Sequence, residues 1–138
     1  MDTQFQLNHP KFTTQEQAVN ELASLALQVA KNQRGEDRLQ PLDTVKAKFW
    51  HEMLEFENAP SHIEKLSELA DLVYYQVQEF AHNGDERDLN AVVEHLASKC
   101  NVSVEQAYTV ALTKYRLRAV QPKNFEVENA AIRAALEE

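Results

Sequence analysis

Apolar residues recur every three or four positions along most of this chain, in runs separated by short polar breaks. That is the period of amphipathic helices, whereas a half-buried strand would alternate. In the first run Val19, Leu22, Ala26 and Val29 fall on one stripe, and Thr13 with Glu16 has the spacing of a capping box ahead of it. A helix is predicted from there to about Lys31. The stretch NQRGEDRLQPLD then gathers polar residues, a Gly and a Pro, and reads as a loop. Asp43 or Thr44 can cap a second helix to about Glu57, with Val45, Phe49, Met53 and Phe56 as its stripe, widened by Trp50 and Leu54. Pro60 breaks the pattern. Ser61 and Glu64 repeat the capping-box spacing, and a third helix carries Leu66, Leu69, Ala70, Val73 and Val77 to about His82, where Asn83-Gly84 stops it. A shorter fourth helix is predicted over about 88–99. Ser103 and Gln106 open a fifth that reaches about Ala119, before Gln121-Pro122. A last helix starts near Phe125, with Val127, Ala131 and Ala134 or Ala135 on one side.

The pattern predicts an all-α fold, an antiparallel helical bundle of four to six helices. Composition supports it, since two Gly and four Pro leave little material for the tight turns of an all-β fold. A length of 138 residues suits a single domain, its core within about 13–120 and its terminal helix over about 125–137. A net charge of −8 argues against a nucleic-acid partner, because phosphate contacts need clustered Lys and Arg. Cys100 is the only cysteine, which excludes an intrachain disulfide and leads us to expect a reducing, cytoplasmic location. The opening MDTQFQLNHPKF lacks the basic and apolar regions of a secretory signal. No apolar run approaches the roughly 18 residues of a membrane span, so no membrane partner is expected.

The second and third helices carry the candidate chemistry. Glu52-Met-Leu-Glu55 is the only ExxE of the chain and Glu68-Leu-Ala-Asp71 its only ExxD. Spacing of i, i+3 puts both carboxylates of each motif on one helical face. On the second helix Lys48 and His51 share that side; on the third, Glu64, Tyr75 and Gln78 extend the stripe. Only the turn NAPSH joins the two helices, so they should pack antiparallel and bring four carboxylates around one pocket. Like charges that close repel by a few tenths of a kcal/mol per pair. A hard cation such as Mg2+, which takes oxygen ligands, would make the cluster tolerable. So would open water, and in a chain with 22 acidic residues a solvated face is the plainer explanation. Trp50, Tyr74 and Tyr75 nearby suit a nucleotide base and suit core packing equally well.

An ExxE followed after a short spacer by an ExxD, across two antiparallel helices, resembles the all-α nucleoside triphosphate pyrophosphohydrolases. That superfamily includes the MazG proteins, the phosphoribosyl-ATP pyrophosphohydrolases and the dimeric dUTPases. SELADLVYY is similar to the phosphoribosyl-ATP pyrophosphohydrolase form of the second motif. The resemblance covers about residues 45–80 well and the region to Arg118 loosely. It implies a MazG-like bundle in which Glu52, Glu55, Glu68 and Asp71 bind Mg2+, or Mn2+, with Glu52 and Glu55 at the reacting centre. A nucleoside triphosphate or related nucleotide would be cut to the monophosphate and pyrophosphate. TKYRLR offers Lys114, Arg116 and Arg118 where the family places phosphate-binding basic residues on a following helix, and Lys48 is a further candidate. Trp50 and Tyr75 would meet the substrate, and homodimers or homotetramers are implied. The first motif departs from the family's EExxE, because His51 stands in place of the first Glu. An imidazole there can ligate Mn2+, act as a general base, or sit at the rim without a chemical role.

Two rival readings remain. One is a non-catalytic helical binding or regulatory protein with a degenerate site, which His51 leaves room for. The other is a carboxylate-bridged di-iron bundle, which needs two ExxH motifs, whereas only Glu79-Phe-Ala-His82 is present. If the carboxylates do crowd one pocket, Glu68→Gln or Asp71→Asn should abolish hydrolysis. Either change should stabilise the metal-free protein by a fraction of a kcal/mol.

Overall fold

The computed structural model describes residues 10–137, with side chains from residue 15. The residues before Pro10, including most of the opening segment read for a signal, lie outside it. Six helices pack against one another: α1 (Pro10–Arg34), α2 (Leu42–Glu57), α3 (His62–Asn83), α4 (Glu86–Lys99), α5 (Val104–Val120) and α6 (Phe125–Glu137). The described residues contain no strand, so the fold is an all-α helical bundle. No described helix is long and apolar enough to cross a membrane.

Local chemistry explains most boundaries. The Ser61 hydroxyl accepts from the Glu64 amide and donates to its carboxylate, opening α3. Ser103 and Gln106 complete a reciprocal capping box at the head of α5. Gly84 ends α3 at φ 70, a left-handed position that a Cβ would strain. Asn101 takes the same conformation at φ 56 between α4 and α5, where its short polar side chain tolerates it. Three expected starts move. α1 begins at Pro10, so Thr13 lies inside the helix and its side chain is outside the described residues. Proline suits a first helical position because its missing N–H would have had no partner there. α2 follows Pro41 with no side-chain cap, and Asp43 sits in its first turn, where its charge meets the positive end of the dipole. α4 starts at Glu86, capped by Asp85 accepting from the Asp88 amide.

α3 is the centre of the bundle and touches each of the other five helices. Its Leu66, Leu69, Ala70, Leu72, Val73, Tyr74 and Val77 are all buried, so it is covered on nearly every side. Val45, Phe49 and Phe56 of α2 close one side, while Leu22, Ala26, Val29 and Ala30 of α1 reach across to α5. Two expected stripes are corrected. Trp50 (65 %) and Leu54 (60 %) are exposed, because no helix covers that side of α2. On α6 the buried residues are Ile132 and Glu128, whereas Val127 and Ala134 face outward. The inward side of α6 was obscured because it carries a charged residue.

Candidate metal centre

The short Asn58–Ser61 turn folds α2 back along α3, and the two acidic motifs meet across the hairpin. Glu52, Glu68 and Asp71 each bring a carboxylate oxygen within 4.8 Å of the other two. Glu52 and Glu68 are partly exposed and Asp71 is buried, so the cluster forms a cup with a closed floor. Glu55 does not join it. One turn further along α2, it lies outward and receives His51 Nε2 at 3.1 Å, and these two with Glu52 form a second, more exposed group. The expected four-carboxylate pocket is therefore three carboxylates with Glu55 at the rim.

Crowding shows in the proton affinities. Burial, a shared hydrogen bond with Glu52 and the charge of Asp71 push Glu68 up to about 8. Glu52 rises above its ordinary value, mainly through burial and then through the charges of Asp71 and Glu55, although its contact with Glu68 pulls the other way. Glu68 Oε1 is enclosed and has no hydrogen-bond partner, an unusual state for a buried carboxyl oxygen. Three converging oxygen donors with one unpartnered oxygen fit a hard divalent cation such as Mg2+ or Mn2+.

The floor is built by residues from α5. Lys114 is 1 % exposed, and its Nζ lies 2.8 Å from Asp71 Oδ1 while donating to the Ser67 carbonyl and hydroxyl at 3.0 and 2.9 Å. Tyr115 donates its hydroxyl to the same Oδ1 at 2.7 Å, and its ring stacks on Tyr74 at 3.6 Å. Burial and the neighbouring Asp71 charge hold the Tyr115 phenol far above its ordinary range, so it remains a donor.

These contacts correct the expected phosphate-binding trio. Lys114 points down onto Asp71 because the packing of α5 on α3 encloses it. Arg116 makes a two-pronged contact with Glu21 of α1 at 2.6 and 2.7 Å. Arg118 makes one with Glu128 of α6 at 3.0 and 3.1 Å, its guanidinium 5.4 Å from the Tyr115 ring centre. Arg116 lies on a different face from Lys114, and Arg118, though on the same side as Lys114, sits one turn further along α5 and reaches α6 instead, so the three cations serve three partners. Trp50 is also displaced. It lines a cleft with Lys46, Met53, Gln76 and His95, away from the cup. Lys48 and Tyr75 do flank the cluster, in a shallow groove of about 470 Å³ with His51, Glu52 and Thr44. On the other side, a cavity of about 550 Å³ runs past Glu55, Glu64 and Glu68 to Phe125 and Asn129 of α6. The ExxH residues of the di-iron reading stand apart from both acidic groups: His82 contacts the Gln40 carbonyl at 2.8 Å in the loop before α2.

Sequence reading missed Ser67, Tyr115 and Glu128. The signal for Tyr115 was its place beside Lys114 within a mostly apolar helix; Ser67 and Glu128 carried no comparable sign. Comparison with protein-family models, curated proteins and solved structures yields no match to this chain.

Proposed function

We propose that the chain is a metal-dependent nucleotide pyrophosphohydrolase that converts a nucleoside triphosphate or related nucleotide to the monophosphate and pyrophosphate. The observation that carries this reading is the convergence of Glu52, Glu68 and Asp71 from an α-helical hairpin, with Glu68 Oε1 unpartnered. Glu52, Glu68 and Asp71 would hold Mg2+ or Mn2+, with Glu55 and His51 at the rim. When bound, the ion supplies charge neutralisation for the phosphates and a more acidic water. Glu52, partly exposed, would accept a proton from a water at the mouth of the cup. His51 beside Glu55 can relay that proton to solvent. Lys48 is the cation at the groove with freedom to meet a phosphate, since Lys114, Arg116 and Arg118 are held in ion pairs. Tyr75 forms the groove's aromatic wall. The exposed Trp50 and Leu54 supply an apolar strip of the kind that homodimer or homotetramer formation would cover. A cytoplasmic setting suits a nucleotide substrate.

The test is pyrophosphate release from a panel of nucleoside triphosphates with Mg2+ and with Mn2+. Turnover on at least one member, lost in Glu68→Gln, is expected. Wild-type turnover retained by Glu68→Gln on every substrate would overturn the proposal. A second reading, a binding protein with a degenerate site, is favoured by one specific observation: the three basic residues of α5 are all occupied internally. Nucleotide binding without turnover would decide for it.

A further inference from the structure

Two donors end on one oxygen of the cup. Lys114 Nζ and Tyr115 Oη both contact Asp71 Oδ1, at 2.8 and 2.7 Å. A carboxylate oxygen has two lone-pair positions, so Oδ1 is fully used by the protein. The ammonium is also saturated, since its other two protons go to the Ser67 carbonyl and hydroxyl. Neither donor can move aside easily. Lys114 is 1 % and Tyr115 3 % exposed, and the stack of Tyr115 on Tyr74 fixes the phenol. Asp71 is left with Oδ2 alone to offer outward. In two-ion hydrolase sites the metals stand about 3.5–4 Å apart, a separation suited to a carboxylate that bridges them with both oxygens. Asp71 cannot bridge while Oδ1 is occupied by Lys114 and Tyr115.

We propose that Lys114 is the positioning residue that makes this cup a one-ion site, standing permanently on the Asp71 oxygen that a second divalent ion would need. The proposal rests on the reading that Glu52, Glu68 and Asp71 hold a divalent cation. It assigns Lys114 a task different from phosphate binding and sets the metal count at one, since the outer His51 and Glu55 group has to share Glu52 with the cup. Lys114 also balances the charge of the buried Asp71, whereas Glu68 has no such ion pair.

The test counts Mn2+ on the full chain by electron paramagnetic resonance and by titration calorimetry, for wild type, Lys114→Met and Tyr115→Phe. Wild type is expected to bind one Mn2+ per chain. Lys114→Met should melt lower in chelator than wild type, gain more from Mn2+, and take up a second ion or bind the first about tenfold more tightly. Tyr115→Phe keeps the ring stack and Lys114, so its count should stay at one. Two ions on wild type would overturn the proposal, as would a folded Lys114→Met with unchanged count and affinity. If Lys114→Met does not fold, the counts on wild type and Tyr115→Phe decide alone, one ion each supporting the proposal and two on either overturning it. No Mn2+ on wild type would remove both this inference and the proposed reaction. One ion without pyrophosphate release from any triphosphate would remove the reaction and leave this inference standing. Two ions with turnover would do the reverse.

Discussion

Replacing Glu68 by Gln should stabilise the metal-free protein, by an amount that depends on pH in a definite direction. The folded state raises this carboxyl from 4.5 to about 8. Between those values the folded chain holds a proton that the unfolded chain has released, so stability falls as pH rises. Below 4.5 the carboxyl is neutral in both states and Gln should be nearly equivalent. Above 8 the full penalty is present. At about 1.4 kcal/mol per pH unit the complete rise would correspond to roughly 5 kcal/mol. Glu68 is partly exposed, and solvent screening reduces that to about 1–2 kcal/mol. Gln keeps the shape of the side chain, so the difference should appear as a melting temperature roughly 3–8 °C above wild type at pH 8, vanishing near pH 4. The assay is thermal or urea unfolding of both proteins in chelator across that range. Millimolar Mn2+ should then reverse the order, since on the proposed function it would bind the folded wild type and find one ligand fewer in the variant. A gap between the two proteins that stays constant from pH 4 to pH 8, or a Gln variant less stable at pH 8, would refute the reasoning.

Asp71→Asn should behave in the opposite way. It leaves Lys114 buried without its anion, a loss of about 3–5 kcal/mol that calorimetric melting in chelator would show as a large drop. A melting temperature at or above wild type would count against the Lys114 pair. Glu128→Gln should cost about 3 kcal/mol by unpairing the enclosed Arg118, whereas Arg116→Ala, at an exposed pair, should cost less than about 1 kcal/mol by urea unfolding. His51→Glu puts another carboxylate beside Glu55, and calorimetric titration should find Mn2+ binding equal to wild type or tighter.

The opposite signs at Glu68 and Asp71 mark where sequence reading ended. From spacing alone the two residues were equivalent members of an ExxD motif, and removing either charge was expected to relieve repulsion. For Glu68 the raised proton affinity points the same way, and no basic group pairs with its enclosed oxygen. For Asp71 the expectation reverses, because the packing of α5 on α3 sets Lys114 and Tyr115 against it. No periodicity within α3 could register that contact, which joins residues 44 positions apart.

The amino-acid sequence by itself determined the helices and their hairpin. Those depend on contacts within a few residues: a 3.6-residue apolar period, serine caps at Ser61 and Ser103, and the stop at Gly84. It also determined that the two acidic motifs would face each other, since a short turn leaves α2 and α3 little choice but to pack antiparallel. Tertiary structure alone decided which carboxylates converge: Glu52 meets Glu68 and Asp71, whereas Glu55 turns outward to His51. It decided too where each cation of TKYRLR goes. A charged side chain on a helix has no partner until a neighbouring helix arrives, and three different neighbours claimed Lys114, Arg116 and Arg118.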